Sequence, residues 1–302
     1  MDLSIVIVSW NTRDLLRDCL TSVFRGLGPL AAEVWVVDNG STDGSPAMLA
    51  ADFPQVRLIA NADNRGFAAA NNQALSRAAG RYLLLLNTDT LVHGAVLPDA
   101  VAWLDAHPGV GVMGPRILNA DGTLQGSASA FPTLARLARQ TLGLHKREAP
   151  NLGRTGAHEA EVISGCAMVV RAAAMAQVGL LDEAFFFYGE ETDWCRRFAR
   201  AGWGVMFAPV GEITHFGGGS VRCLNHRRDL MLTEGTVRLH AKHSGLTGAL
   251  ACYALLAVFN ASRAVGWAGL ALLRRNGARA RARHFAGVVA GYGRAWPRGA
   301  QS

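Results

Sequence analysis

The sequence lacks the short motifs that identify several large enzyme classes. It contains no phosphate-binding GxxxxGK[ST] loop, no GxGxxG after its first apolar run and no HExxH. The usual support for kinase, dehydrogenase and zinc protease functions is therefore missing. Internal repeats and low-complexity tracts are also absent.

Cysteine is scarce, and its spacing excludes some kinds of site. The five cysteines are odd in number and form no CxxC pair, which predicts a reducing compartment with neither disulfides nor a structural zinc site. They are Cys19, Cys166, Cys195, Cys223 and Cys252. The opening MDLSIVIVSWN has no basic leader and too short an apolar run for a secretory signal, so we expect a strand there.

Acidic residues are missing from the C-terminal part of the chain. From Arg263 onward there are eight arginines and no Asp or Glu, within a formal net charge of +7 for the whole sequence. We expect this part to meet an anionic membrane surface and not nucleic acid. The apolar stretch 249–273 is long enough to span a bilayer, but Asn260, Ser262 and Arg263 interrupt its centre. We therefore predict two shorter helices lying in the membrane interface, with a soluble helical subdomain as the alternative.

Half of the residues are apolar, enough for a sizeable core, and the first hundred alternate between short apolar runs and segments with helical spacing. The runs LSIVIVSW, EVWVVDNGS, VRLIANAD and RYLLLLNTDT predict strands. This order predicts an α/β fold with a mostly parallel central sheet, whose ligands bind at the carboxyl ends of the strands. Farther on, PRILNADGTLQGSASAFP predicts a hairpin or loop. Residues 133–158 predict an irregular basic segment that either faces an acceptor or serves as a linker.

Polar residues stand at the ends of these four strands. Each group alone is ordinary turn chemistry, but four groups at one edge predict a ligand site. Asp89, after a run of four leucines, offers the oxygen ligand that Mg²⁺ or Mn²⁺ prefers. Asp38 could accept a hydrogen bond from the imide N–H of uracil or thymine, or cap the turn that follows it.

Three acids, Glu190, Glu191 and Asp193, follow an aromatic run and begin a basic amphipathic segment. Crowded carboxylates beside apolar side chains can supply a general base. Acids also favour the first turn of any helix, where the helix dipole stabilises them. The residue types alone leave both interpretations open.

Seven segments, in this order, resemble family 2 glycosyltransferases of the GT-A fold. They are SIVIVSWN, VVDNGSTDGS, NRGFAAANNQAL, RYLLLLNTDT, SGCAMVVR, LDEAFFFYGEETDWCRRFARAGW and HFGGGS. Within the family, the chain is similar to bacterial rhamnosyltransferase-like enzymes of cell-surface polysaccharide synthesis. The resemblance implies a GT-A glycosyltransferase domain over residues 1–245, followed by a helical, apolar and basic region over 246–302.

The resemblance also implies a nucleotide and donor site. The residues that match it are Ser9, Asn11, Asp38, Asn64, Arg65, Gly66, Asn87, Thr88 and Asp89. Asp38 falls at the aspartate that binds the base. Residues 87–89 align with the DxD motif, with Asn in place of the first Asp, so Asp89 is the implied ligand for Mg²⁺ or Mn²⁺. His215 is the implied second ligand, although a lone histidine is more often an ordinary packed side chain.

The same resemblance implies the catalytic side of the site. Gly165 and Cys166 lie where a glycine-containing segment approaches the donor sugar and the acceptor. Glu191 aligns with the second acid of a Glu-Asp pair and is the implied base, with Glu in place of the more usual Asp. Glu190 would orient it, and Asp193 would cap the helix or assist.

The expected function is that of a metal-dependent inverting glycosyltransferase. It would move a sugar, rhamnose or another deoxyhexose, from a nucleotide-diphosphate sugar to a glycan or polyprenol-linked acceptor. Asp38 favours dTDP or UDP as the nucleotide. The expected location is the cytoplasm, peripheral at the inner face of the cell membrane. One alternative is a catalytically silent nucleotide-sugar-binding or assembly protein with the same fold. Another is a nucleotidyltransferase, but SWNTRD poorly matches the glycine-rich basic loop that such an enzyme needs.

Overall fold

The computed structural model describes residues 1–144, 156–217 and 224–297, and this part of the chain divides into two compact units. The first unit comprises residues 1–131, 156–186 and 190–217. The second comprises residues 132–144, 187–189 and 224–297. Cys223 and most of the GGGS run after Phe216 lie outside the described residues.

The helices and strands of the described chain follow the predicted alternation through the first hundred residues. The strands are β1 Leu3–Ser9, β2 Ala32–Asp38, β3 Arg57–Ala60, β4 Tyr82–Asn87, β5 Thr90–Val92, β6 Val110–Leu118, β7 Leu124–Gln125, β8 Ala128–Ser129, β9 His158–Glu159, β10 Val162–Ile163, β11 Ala167–Arg171 and β12 Gly204–His215. The helices are α1 Arg13–Gly26, α2 Ser45–Asp52, α3 Phe67–Leu75, α4 Val96–Ala106, α5 Leu134–Thr141, α6 Ala172–Val178, α7 Glu190–Arg200, α8 His226–Leu272 and α9 Ala278–Gly291, followed by a 3₁₀ turn at Tyr292–Ala295.

A mixed, mostly parallel sheet forms the centre of the first unit. Its strand order is β3-β2-β1-β4-β11-β6-β12-β5, with β7 paired to β6 and β9 to β12. Strands β3, β2, β1, β4, β6 and β12 run in one direction, while β11 and β5 run against them. The predicted α/β fold with a mostly parallel sheet is therefore confirmed.

Two apolar layers cover the faces of this sheet. Side chains alternate between the faces of a strand, so Ile5 and Ile7 of β1 pack with α1 and α4, whereas Val6 packs with α3, α6 and α7. Trp194 of α7 lies fully buried in the second layer. This burial holds the first turn of α7, and with it the acidic residues, in place against the sheet.

The register of the strands aligns their polar ends. Ser9 of β1 lies opposite Asp38 of β2, and Val8 lies opposite Asn87 of β4. On the far side of the sheet, β12 ends at His215, which lies opposite Thr90 of β5. The strand ends that the sequence singled out therefore share one edge.

The second unit is helical, and it corrects the prediction that residues 133–158 are irregular. Residues 134–141 form α5, because the Thr133 hydroxyl caps its first turn by accepting from the Arg136 N–H. The helix buries Leu137 against Val237 and Cys252 of α8. Residues 145–155 of that segment lie outside the described part of the chain.

The prediction of two short helices within 249–273 is wrong, because α8 continues through the polar centre of that stretch. The Asn260 side chain donates to the Leu256 carbonyl, and Ser262 and Arg263 donate to that of Phe259. Each polar group thus finds a partner inside the helix and need not interrupt it. Helix α8 does break at Gly245, whose φ of 70° and ψ of −173° are not helical. The domain boundary predicted after residue 245 falls at this break, which lies within the second unit, and it remains a prediction.

Among the described residues, one helix, α8, is long and apolar enough to cross a membrane. In the most apolar 18-residue stretch of α8, only 22% is buried. Large apolar side chains such as Val258, Val265 and Leu272 are exposed instead. A core helix of a globular domain would bury such side chains, so α8 offers an apolar surface for a partner or a bilayer.

Candidate active site

Asp38 lies at the end of β2, and one of its carboxylate oxygens accepts a hydrogen bond from the described residues while the other does not. Its Oδ2 accepts from the Ser41 N–H at 2.9 Å, which is the turn-capping role considered from sequence. Its Oδ1 is buried and has no hydrogen-bond partner among the described residues. Because a buried acceptor without a partner is costly, this oxygen fits a ligand donor such as the imide N–H of a pyrimidine.

Ser9 and Asn11 shape the loop beside Asp38. The Asn11 side-chain oxygen accepts from the Thr42 N–H at 2.8 Å, and the Asn11 N–H donates to the Ser41 hydroxyl at 2.9 Å. Asn11 takes a left-handed φ of 53° to do this, a conformation that Asn tolerates better than most residues. Ser9 is buried, with its hydroxyl 3.1 Å from that of Thr12. Asn11 thereby fixes the turn that follows Asp38.

A network of asparagine side chains holds the loop that contains Asn64, Arg65 and Gly66. Asn39, buried at the end of β2, donates to the Asn64 side chain at 3.3 Å and to the Gly66 carbonyl at 3.2 Å. The Asn64 side chain also accepts from the Gly66 N–H at 3.0 Å. Arg65 is exposed at the tip of the loop. The sequence pattern did not assign a role to Asn39, because Asn before Gly is an ordinary turn signal.

Gly66 brings this loop against the aromatic run that precedes the acidic residues. Its φ is 82°, and a Cβ there would lie 2.5 Å from the Phe186 carbonyl oxygen. That same oxygen accepts from the Phe67 N–H at 2.8 Å. Glycine is needed at this position both for the conformation and for the close approach.

Asp89 and His215 meet at the edge of the sheet. The His215 Nε2 lies 3.3 Å from the Asp89 Oδ1 and 3.5 Å from the Asn87 side-chain nitrogen. The side chains of Asp89 and His215 are only 14–15% exposed, and Thr88 between Asn87 and Asp89 is buried. The sequence could not establish this meeting, since the two residues are distant along the chain.

This pair fits a divalent cation bound together with a substrate. The described residues contain no group of three or more His, Cys, Asp or Glu that could hold a metal by itself. A carboxylate and an imidazole are suitable ligands for Mn²⁺, and Mg²⁺ and related ions commonly take further oxygens from substrate phosphates. Two ligands from the chain and the remainder from a diphosphate would complete such a site.

Gly165 and Cys166 lie between Asn87 and the acidic residues of α7. The Cys166 carbonyl accepts from the Asn87 N–H at 3.0 Å. A Cβ on Gly165 would lie 3.5 Å from the Phe67 ring and 4.0 Å from the Glu191 Cβ. Burial raises the pKa of the Cys166 thiol to about 11, which disfavours the thiolate form that a nucleophilic cysteine needs.

The three acids lie in the first turn of α7 in different environments. Glu190 is buried, and this burial, together with the neighbouring Glu191, raises its pKa well above the ordinary value. Its Oε2 has no hydrogen-bond partner in the described part of the chain. Asp193 is fully buried and accepts from Arg197 at 2.8 Å. Arg197 also donates to the carbonyls of Val178 and Leu180.

The acids can therefore be distinguished by their surroundings. The surroundings of Glu190 favour its protonated form. Asp193 forms an ion pair with Arg197 that stabilises α7. Glu191 is partly exposed and borders Gly165. It is the acid best placed to accept a proton from a bound substrate.

The sequence is similar to those of known glycosyltransferases. Residues 4–177 match the family model described as Glycosyl transferase family 2, which is more than half of the chain. The N-acetylglucosaminyl-diphospho-decaprenol L-rhamnosyltransferase of Mycobacterium tuberculosis is 31% identical over 210 residues. That match covers 60% of this chain and 66% of the relative, slightly less than two thirds of its length.

Solved structures of similar fold come from distant glycosyltransferases. The mannosyltransferase PcManGT from Pyrobaculum calidifontis, in complex with GDP-Man and Mn²⁺, superposes with a TM-score of 0.58 at 19% identity, covering 95% of this chain and 85% of that one. GalNAc-T7 with UDP, GalNAc and Mn²⁺ gives a TM-score of 0.59 at 17% identity, covering 80% of this chain and 47% of that one. These similarities establish the fold as GT-A.

Proposed function

Because the chain belongs to glycosyl transferase family 2, we propose that it is a metal-dependent, inverting glycosyltransferase that uses a nucleotide-diphosphate sugar. One observation supports the proposal: the Asp89 carboxylate and the His215 imidazole, which suit a divalent cation, meet at the edge of the sheet, and the acid Glu191 lies beside Gly165. The connection runs through Asn87, whose N–H bonds to Cys166, the residue after Gly165. A structural helix cap would require none of these neighbours.

The proposed reaction is a single displacement at the anomeric carbon. The Glu191 carboxylate takes the proton of an acceptor hydroxyl while that oxygen forms a bond to the anomeric carbon. The bond from that carbon to the diphosphate oxygen breaks, the nucleoside diphosphate leaves with the electron pair, and the configuration inverts. A divalent cation held by Asp89 and His215 would neutralise the charge that develops on the leaving group. Glu190, the neighbouring residue in the chain, would help to orient Glu191.

The whole function can be tested with purified protein, Mn²⁺ or Mg²⁺, and labelled nucleotide sugars. We expect transfer from a dTDP- or UDP-linked sugar, with a deoxyhexose such as rhamnose as the first choice because of the rhamnosyltransferase relative. A polyprenyl-diphosphate sugar is the acceptor to supply, since the name of that relative specifies one. Tight nucleotide-sugar binding without transfer or hydrolysis would instead favour the silent binding protein.

The Oδ1 of Asp38, which has no hydrogen-bond partner among the described residues, predicts which base the protein prefers. Uracil carries an N–H at N3, whereas cytosine presents an acceptor there. Wild-type protein should therefore bind UDP more tightly than CDP. In Asp38→Asn an amide nitrogen can replace the Oδ1, because the remaining oxygen is held by the Ser41 N–H. UDP affinity should fall roughly 10- to 100-fold, as a hydrogen bond to a charged group is worth about 1.5–3 kcal/mol.

Isothermal titration of both nucleotides against both proteins measures this effect. CDP affinity should hold or improve, because the new amide can donate to cytosine N3. The change in the UDP-to-CDP ratio separates base recognition from a general loss of structure. An equal loss for both nucleotides would contradict the proposed contact.

We also propose that the second unit attaches the protein to the inner face of the cell membrane. The exposed apolar side chains of α8 are followed by basic residues with no acid among them. Arg281 of α9 lies with its guanidinium 4.4 Å from the Trp267 ring centre, a pairing of aromatic and basic side chains that suits the headgroup region. Attachment there would keep the protein at the membrane that carries a polyprenol-linked acceptor.

Replacing five arginines by glutamine tests this attachment. The residues are Arg274, Arg275, Arg279, Arg281 and Arg283. Each basic residue near an anionic surface contributes about 1 kcal/mol, so binding to vesicles of mixed phosphatidylglycerol and phosphatidylcholine should weaken at least about tenfold. Cosedimentation measures this, with neutral vesicles and the Arg25→Gln, Arg77→Gln double variant as controls. Unchanged binding to anionic vesicles would contradict the electrostatic part of the proposal.

A further inference from the structure

On the basis of the metal site proposed above, we infer that Gln125 is a positioning residue for that site. Its amide oxygen fixes the tautomer and ring orientation of His215. The Nε2 lone pair of the imidazole then faces Asp89. The resemblance and the family match assign no role to Gln125, which lies in the hairpin formed by β6 and β7.

The contact itself is short and well placed. Gln125 lies on β7, opposite Ile117 of β6, and β6 in turn pairs with the strand that ends at His215. The side chain reaches the histidine, with its Oε1 2.7 Å from the His215 Nδ1. An amide oxygen can only accept, so the Nδ1 must carry the proton.

The orientation of the Gln125 amide is fixed by the hairpin turn. Its nitrogen donates to the Asn119 Oδ1 at 3.2 Å. The Asn119 nitrogen donates in turn to the Leu124 carbonyl at 3.3 Å and to the Thr123 hydroxyl at 3.0 Å. A backbone carbonyl cannot donate, so neither amide can be reversed without losing these bonds. The oxygen of Gln125 therefore points to His215.

The position of the proton on Nδ1 determines what the other ring nitrogen, Nε2, can do. With the proton on Nδ1, the neutral ring presents a lone pair at Nε2, which is 3.3 Å from the carboxylate oxygen of Asp89. Two acceptors at this distance repel each other unless a cation or a proton lies between them. Histidine ligands of metal ions commonly donate their other N–H to a carboxylate, carbonyl or water in the same way. Gln125 thus prepares His215 to receive a cation.

Variants of Gln125 should change metal affinity and leave the fold in place. Gln125→Leu keeps the approximate size of the side chain but removes the acceptor, and it should weaken Mn²⁺ binding by about 10- to 100-fold. Gln125→Glu keeps an acceptor for the Nδ1 proton while giving up the bond to Asn119. It should remain nearer to wild type than the leucine variant. The probe is Mn²⁺ with and without UDP, and the readout is free Mn²⁺ counted by electron paramagnetic resonance.

A double variant distinguishes a positioning role from a merely structural one. If Gln125 acts through His215, Gln125→Leu should have little further effect on Mn²⁺ affinity in the His215→Ala background. If instead it damages the hairpin generally, its effect should persist there, and that result would overturn the inference. Thermal unfolding of each variant shows that the protein is folded when Mn²⁺ is measured.

The possible failures can be told apart. Absence of Mn²⁺ binding by wild-type protein, or no effect of His215→Ala, would overturn both the proposed metal site and the role of Gln125. Weaker binding by His215→Ala with no change in Gln125→Leu would overturn the role of Gln125 alone.

Discussion

Replacing Glu191 with glutamine should lower the turnover number by about 10²- to 10⁴-fold, the usual contribution of a general base. Nucleotide affinity should remain nearly unchanged. Glutamine has almost the same shape, so the contact with the Gly165 segment can persist. An amide cannot take the acceptor proton at neutral pH, and the attacking oxygen would remain a poor nucleophile. Initial rates of sugar transfer and calorimetric titration with UDP measure the two quantities separately.

Two matched variants make this result specific. Glu190→Gln replaces a buried carboxyl whose pKa is raised, so the amide imitates the neutral form and most activity should survive. Glu159→Gln removes an exposed carboxylate from β9 and should have no effect. Near-normal turnover by Glu191→Gln would contradict the base assignment. Asp193 would be a poor replacement, because the ion pair with Arg197 holds its carboxylate inside the protein.

The second large effect is expected from Asp89→Ala, which should abolish the stimulation of transfer by Mn²⁺. Stabilising the charge on a leaving diphosphate is worth several kcal/mol, so the rate should fall by roughly 10²- to 10⁴-fold. His215 would then be the only remaining protein ligand of the proposed pair. Donor binding should lose its dependence on metal, because the diphosphate is expected to bind through the cation.

Activity as a function of Mn²⁺ concentration, together with nucleotide titrations at zero and saturating Mn²⁺, measures both effects. Asp18→Ala, which removes an exposed carboxylate from α1, is the matched control. If Asp89→Ala keeps the metal response of wild type, the cation lies elsewhere and the interpretation of residues 87–89 as a metal motif is wrong. Loss of transfer without any change in metal-dependent nucleotide binding would likewise contradict the assigned role.

Much of the fold could be predicted from local sequence because its signals are local. The run of four leucines that leads to Asp89 can hardly be anything but a buried strand, and β4 ends where the polar residues begin. The exceptions were also local in origin. Thr133 caps α5, and Asn260 and Arg263 interrupt the apolar run without ending the helix, because each donates to a carbonyl within its own helix.

The candidate site was also predictable from the sequence only in part. The residue types at strand ends identified Asp38 and Asp89 as unusual, and the resemblance supplied their expected roles. Which carboxylate oxygen of Asp38 remains without a partner depends on the Ser41 turn, and no pattern in the sequence shows this. The contact of Gln125 with His215 could not be predicted for a similar reason, because a glutamine beside a hairpin turn has no distinctive spacing.

By itself, the sequence determined the order of strands and helices through the first hundred residues, the polar ends of the strands and the placing of three acids at the start of a helix. These follow from side-chain periodicity and from the types of residue that end each element. The tertiary structure decided which of these residues meet and in what state. It brought His215 against Asp89, gave Glu190 a raised pKa by burial and bound Asp193 to Arg197. Protonation and hydrogen bonding depend on neighbours contributed by distant parts of the chain, and only folding brings those neighbours together.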